Sequence, residues 1–196
     1  MKQSQTANDD SPGRHYRRLY ALWGIVVALA VVLALCIPDS LYQDRPAIRA
    51  FADAVARILP SIDQFAAVSD FPGTTKVVLA CLWASVPLLV VLMVIVPDVL
   101  RLRAGALKWL GWRLILIFPV LLGFAVLLPM KLKIHPDDLH SGLAVDKYIW
   151  FASKSKLGLG LVGGLYCFVA AFSLAAMFIL ARELCRGAAT RHDVTG

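Results

Sequence analysis

Two histidines and two aspartates lie within six residues of one another in the second half of the chain: His135, Asp137, Asp138 and His140. Imidazole nitrogens and carboxylate oxygens are ligands for Zn²⁺ and Cu²⁺, so this segment is a candidate metal site. The spacing is not diagnostic, however, and His-Pro-Asp-Asp is also typical of a polar turn that begins a helix. Both interpretations stay open; we expect the turn, without metal or cofactor.

The four cysteines and the remaining histidines indicate no further cofactor chemistry. The cysteines are widely separated and form no Cys-x-x-Cys pair, which excludes a zinc ribbon: Cys36, Cys81, Cys167 and Cys185. A haem between helices would need axial ligands inside apolar segments, but every histidine lies outside them. Cys36 and Cys81 both fall near the same predicted membrane surface, so a disulfide between them is geometrically possible and stays open.

The composition indicates a membrane protein. Hydrophobic residues make up 59% of the 196 residues and charged residues 17%, with a mean hydropathy of +0.71. Four runs without a charged residue or histidine are long enough to cross a hydrocarbon core of about 30 Å as helices. The predicted spans are 19–38, 77–97, 114–130 and 157–181. We therefore predict an all-α membrane protein with four transmembrane helices in an antiparallel bundle.

The distribution of Lys and Arg predicts the orientation. One side carries eleven basic and five acidic residues, a net charge of +6, in the tails 1–18 and 182–196 and the loop 98–113. The other side, loops 39–76 and 131–156, carries nine basic and eight acidic residues. The positive-inside rule then places both termini in the cytoplasm, with residues 1–18 as a disordered tail. We expect a bacterial inner membrane location.

The same basic residues are expected to attract anionic lipids on the cytoplasmic face. They surround no recognisable nucleic-acid-binding module, so nucleic acid is not an expected partner.

An amphipathic helix is predicted in the first outer loop. Its apolar face carries Ile48, Phe51, Val55 and Ile58. Arg49, Asp53 and Arg57 fall on the other face, where they can pair across successive turns. The apolar face has three possible neighbours: the lipid boundary, the ends of the spans, or a partner protein. The sequence leaves these alternatives open.

Two further groups are candidates for contact. Tyr148 and Trp150 lie before the fourth span, either as an aromatic belt or as part of a binding surface. Within that span Gly160, Gly164, Ala171 and Ala175 form a stripe of small residues that permits close helix packing. This seam is expected inside the bundle, with contact to another subunit as the alternative.

The spans contain no ionisable residue of the kind that proton-coupled transporters, pumps and intramembrane proteases need at depth. The leading hypothesis is therefore a non-enzymatic protein that acts by protein–protein contact, as an accessory or assembly subunit of a membrane complex or as an immunity or inhibitor-type protein. A homo-oligomeric small channel or lipid or solute carrier is the first alternative. An outward-facing metal-handling or enzymatic site in residues 131–156 is the second.

Overall fold

The computed structural model describes residues 13–95 and 144–192, and within those two segments it contains helices and no strand. There are seven helices in them. In chain order they are α1 (Gly13–Cys36), α2 (Leu41–Asp44), α3 (Pro46–Ile58), α4 (Ser61–Val68), α5 (Pro72–Ile95), α6 (Ala144–Lys154) and α7 (Lys156–His192). The predicted span 114–130, the loop 98–113 and the candidate metal ligands His135, Asp137, Asp138 and His140 lie outside the described residues.

Three helices are long and apolar enough to cross a membrane: Leu19–Cys36, Pro72–Ile95 and Lys156–Ile179. They coincide with the first, second and fourth predicted spans. The prediction of an all-helical fold is therefore confirmed, and the three candidate membrane-spanning helices among the described residues are compatible with a membrane protein.

The directions of these helices follow from contacts between them. Cβ atoms built on Gly160 and Gly164 of α7 would meet Val31 and Val27 of α1, so α7 runs antiparallel to α1. A Cβ on Gly163 of α7 would meet Leu79 and Leu82 of α5, and Cys167, one turn later, contacts Leu82 and Ser85, so α5 and α7 are parallel. We call the end where α1 finishes and α5 and α7 begin the cap end of the bundle.

Small side chains allow α1 and α7 to pack closely. A Cβ on Gly160 would lie 2.5 Å from the Val31 Cα atom, and one on Gly164 would lie 2.8 Å from the Ala30 Cβ atom. Further along the same stripe, Ala171 and Ala175 are fully buried in the main core with Ala30 and Ala34. The small-residue stripe therefore lies inside the described helix assembly, where glycine lets two backbones approach.

The helices extend beyond the predicted boundaries. Helix α1 begins at Gly13, so residues 13–18, assigned from the sequence to the disordered tail, are helical. Helix α7 continues through most of the predicted tail to His192, since residues 182–192 contain no proline and only one glycine, Gly187. The predicted outer loops also contain helices α2, α4 and α6 in addition to α3.

Candidate functional surface at the cap end

Helices α2, α3 and α4, which we call the cap layer, pack against the beginning of α5. A small second core joins α3 to α5 through the buried residues Ala52, Val77 and Ala80. Ile48 and Val55 are half-buried beside them. Alanines at the centre of the contact bring the α3 backbone close to α5, so the cap layer is attached directly to a candidate membrane-spanning helix.

A cluster of charged and phenolic groups links the cap layer to α5. The Lys76 ammonium lies 2.6 Å from Asp53 Oδ1 and 2.8 Å from Asp63 Oδ1, and it donates a hydrogen bond to the Tyr42 hydroxyl over 3.2 Å. The Tyr42 hydroxyl in turn donates to Asp53 Oδ1 over 2.7 Å. Each partner of Lys76 comes from a different helix, so one side chain connects α2, α3 and α4 to α5.

These contacts favour the ionised form of Asp53. The hydrogen bond from Lys76 is the main cause that lowers the pKa of the Asp53 carboxyl below its usual value, followed by the hydrogen bond from Tyr42. Partial burial acts in the opposite direction but is the smaller effect. The carboxylate is thus held as a structural anion and is not poised to exchange a proton near neutral pH.

The environment of Asp53 differs from the sequence interpretation in one respect. Its predicted i,i+4 partner Arg49 is present at 3.9 Å, and the Arg49 guanidinium also lies 5.7 Å from the centre of the Tyr42 ring. The shorter ionic contact of Asp53, however, is to Lys76 on another helix. Asp53 therefore anchors α3 to the bundle, whereas the sequence pattern had assigned it to a separate exposed face.

The first turn of α5 is bonded to the residues that follow α1. The Thr74 amide donates to Asp39 Oδ1 over 2.9 Å, and the Thr74 hydroxyl donates to the Ile37 carbonyl over 3.2 Å. Gly73 is required at this crossing, because an added Cβ would lie 2.3 Å from the Asp39 carbonyl oxygen. Lys156 at the start of α7 donates to the same Ile37 carbonyl over 2.8 Å, so three chain segments meet there.

The segment between α4 and α5 is bonded to α6. The Asp70 amide donates to the Ser153 carbonyl over 3.0 Å, and the Ser69 hydroxyl donates to the same oxygen over 3.3 Å. The Lys154 ammonium forms an ion pair with Asp70. Ala152 and Ser153 are buried at this junction, so the C-terminal part of α6 is fixed relative to the cap layer.

The structure divides the predicted interaction residues into two groups. Ile48 and Val55 contact the bundle, whereas Phe51 is 40% exposed and Ile58 is 68% exposed on the same helix. On α6, Tyr148 is 63% exposed and Trp150 is 51% exposed. The predicted apolar face of α3 is therefore only partly used for packing, and the large α6 side chains are presented outward.

Inside the spans, the described polar groups bond to neighbouring backbone. The Ser85 hydroxyl donates to the Leu82 carbonyl over 2.6 Å, and the Cys167 thiol donates to the same oxygen over 3.2 Å. Among residues 13–95 and 144–192, every buried side-chain nitrogen or oxygen has a hydrogen-bond partner. The bond from Cys167 joins α7 to α5 within the apolar part of both helices.

Metal-binding and disulfide chemistry have no support in the part of the chain that the structure describes. It contains no group of three or more His, Cys, Asp or Glu side chains placed to hold a metal ion. Cys36, Cys81 and Cys167 are free thiols, so Cys36 and Cys81 are not paired.

The sequence interpretation missed the residues that organise the cap end. From the sequence alone, Lys76 is an ordinary charged residue that flanks an apolar span. Tyr42 is an aromatic residue of the kind that lines a membrane interface. Their relation to Asp53 and Asp63 depends on how three short helices fold back on α5. Comparison with known proteins adds no further guide, since no protein-family model, curated protein or solved structure matches this chain.

Proposed function

We propose that this chain is a non-enzymatic, four-span membrane protein that acts by protein–protein contact. Its role would be that of an accessory or assembly subunit of a membrane complex, or of an immunity or inhibitor-type protein. The observation that carries the proposal is the outward display of Tyr148 and Trp150 on a helix whose C-terminal part is fixed by Ala152 and Ser153. A fixed helix loses little conformational entropy when a partner binds its exposed side chains.

The surface of α6 has the composition of a binding site. Tyrosine and tryptophan are enriched among residues that dominate binding energy, since each buries a large area while few rotamers are lost. Exposed Lys147 and Lys154 flank the aromatic pair, and Lys154 is held by Asp70. A membrane-protein partner with a complementary apolar and acidic surface fits this arrangement best.

A fourth span is part of the proposal. Since α5 and α7 both begin at the cap end, residues 96–143 must connect the far end of α5 to the cap end again. The distance along a helix of 24 residues is about 36 Å. The uncharged run 114–130 is long enough for this return crossing, and the positive-inside rule would place the cap end outside the cytoplasm and both termini inside.

The topology can be tested with single cysteines in a cysteine-free background. We expect Ser61→Cys and Ser141→Cys to react with a membrane-impermeant maleimide added from outside the inner membrane, and Lys108→Cys to react only after the membrane is opened. Reaction of Ser61→Cys or Ser141→Cys only from the cytoplasmic side would contradict the orientation. Reaction of Lys108→Cys and Ser141→Cys from the same side of the membrane would contradict the fourth span.

The contact function can be tested by purifying the full chain in mild detergent at native expression. We expect a stoichiometric membrane-protein partner that is lost from Tyr148→Ala and Trp150→Ala. Tyr20→Ala and Trp23→Ala are matched controls, since Tyr20 and Trp23 are 65% and 40% exposed near the opposite end of the bundle. A partner retained by all four variants would exclude the α6 surface, and the absence of any partner would count against a contact function.

A further inference from the structure

Helix α3 has three faces where an ordinary amphipathic helix has two. At about 100° per residue, the buried and half-buried positions Ile48, Ala52, Val55 and Ala56 cluster in one direction, toward α5. The charged positions Arg49, Asp53 and Arg57 cluster about 120° away. A third set, which we call the free apolar flank, is exposed and lies about 120° from both: Ala47, Phe51, Ala54 and Ile58.

Helix α5 gives the depth at which these faces lie. Asp53, on the charged face, pairs with Lys76, which precedes the uncharged run of α5. Ala52 packs in the same small core as Val77 and Ala80, which lie one to four residues further into that run. The charged face is thus directed toward the polar start of α5, and the free apolar flank lies on the other side, toward the apolar part of the span.

We infer that the free apolar flank inserts into the lipid leaflet at the cap end, so that α3 is an interfacial helix lying beside the bundle. The position next to Val77 and Ala80 places α3 at the edge of the hydrocarbon. Insertion removes the exposed Phe51 and Ile58 side chains from water, which is favourable in proportion to their apolar area. Arg49 and Arg57 remain on the polar side of the interface, in contact with water.

The occupant favoured by this geometry is the bilayer and not a second protein. A protein partner would have to enter between α3 and the hydrocarbon edge, whereas a bilayer around the apolar part of α5 would meet the free apolar flank directly. The ion pair with Lys76 and the packing of Ala52 hold the helix in one rotation about its axis, so the free apolar flank cannot turn toward water. This lipid contact is separate from the proposed protein contact through α6.

Photocrosslinking from single positions tests the inference. The photoreactive residue p-benzoylphenylalanine would replace Phe51 or Ile58 in the full chain, reconstituted into vesicles of phosphatidylethanolamine and phosphatidylglycerol. Ala50 and Arg57, both exposed and on or next to the charged face, are the matched control positions. We expect lipid adducts, detected by mass, at 51 and 58 with a yield roughly fivefold above that at 50 and 57.

Three results would overturn the inference. The first is an equal yield of lipid adduct at all four positions. The second is the absence of a lipid adduct at position 51 and also at position 58. The third is a protein adduct as the main product at these two positions in native membranes. If the bulky photoreactive group at position 51 disturbs folding, position 58 is the second probe, because Ile58 is the last residue of α3. Loss of the partner in Tyr148→Ala would leave these outcomes unchanged, so the two proposals fail independently.

Discussion

Lys76 and Asp53 are 23 positions apart in the chain and on different helices, yet Lys76 Nζ lies 2.6 Å from Asp53 Oδ1 where the candidate membrane-spanning helix α5 meets the cap layer. The Lys76 side chain is 16% exposed and that of Asp53 is 32% exposed. An ion pair of this kind is screened less by water and salt than a surface pair, and the hydrogen bond from Tyr42 adds to it. The attachment of the cap layer depends on this contact more than on the pairing along α3.

Removal of the ammonium is expected to loosen the cap layer. Lys76→Met removes the cation that Asp53 and Asp63 share, at an expected cost of about 1–3 kcal/mol in the free energy of unfolding. Arg49→Ala removes a longer and more exposed contact of the same carboxylate and is expected to cost less than about 0.5 kcal/mol. Unfolding of each purified variant in detergent measures the change in the free energy of unfolding. An equal loss of stability in Lys76→Met and Arg49→Ala would contradict the central role of Lys76.

The lowered pKa of Asp53 predicts a particular pH dependence. Because the carboxylate is favoured in the folded state, its contribution to stability is complete above the usual pKa of 3.8 and is lost as the pH falls through the lower folded value. The stability difference between the natural chain and Asp53→Asn should therefore be constant from neutral pH down to about 5 and shrink below about 4. Thermal unfolding across this range tests the prediction; a difference that already shrinks near pH 6 would contradict it.

The close approach of α7 to α1 predicts a strong effect at Gly160. Gly160→Ala places a methyl group 2.5 Å from the Val31 Cα atom and forces the backbones apart, at an expected cost of about 1–3 kcal/mol. Gly24→Ala on α1 is the control, because no atom lies within 4 Å of an added Cβ there. That change should be neutral or stabilise by up to about 1 kcal/mol through helix propensity. Resistance to unfolding by sodium dodecyl sulfate in mixed micelles measures both variants.

The side-chain cap at the start of α5 predicts a difference between two nearby aspartates. Asp39→Ala removes the acceptor for the Thr74 amide and is expected to destabilise the protein by about 1 kcal/mol. Asp44→Ala should have little effect, since the start of α3 carries no side-chain cap. Hydrogen exchange at the first turn of α5 should accelerate only in Asp39→Ala. Acceleration in Asp44→Ala as well would indicate a general loosening of the cap layer.

Local patterns in the sequence were sufficient to predict the three long apolar helices and α3, but not the short helices α2, α4 and α6. Uncharged runs predicted the three described spans, because the hydrocarbon core excludes charge over a fixed length. The spacing of Ile48 and Val55 predicted α3, and the start at Pro46 agrees with the fixed φ angle of proline. The spacing of Gly160 and Gly164 indicated a close-packed seam, because residues four apart share one helix face.

Only the tertiary structure decided what these faces contact. The sequence placed Phe51 with Val55, but α5 covers Val55 and leaves Phe51 exposed, because a helix neighbour covers a narrower arc than the whole apolar face. Asp53 and Lys76, or Asp39 and Thr74, come together because short helices fold back across α5. Contacts of this kind join residues 23 and 35 positions apart, and no helical period relates such positions, so the sequence alone carried no signal for them.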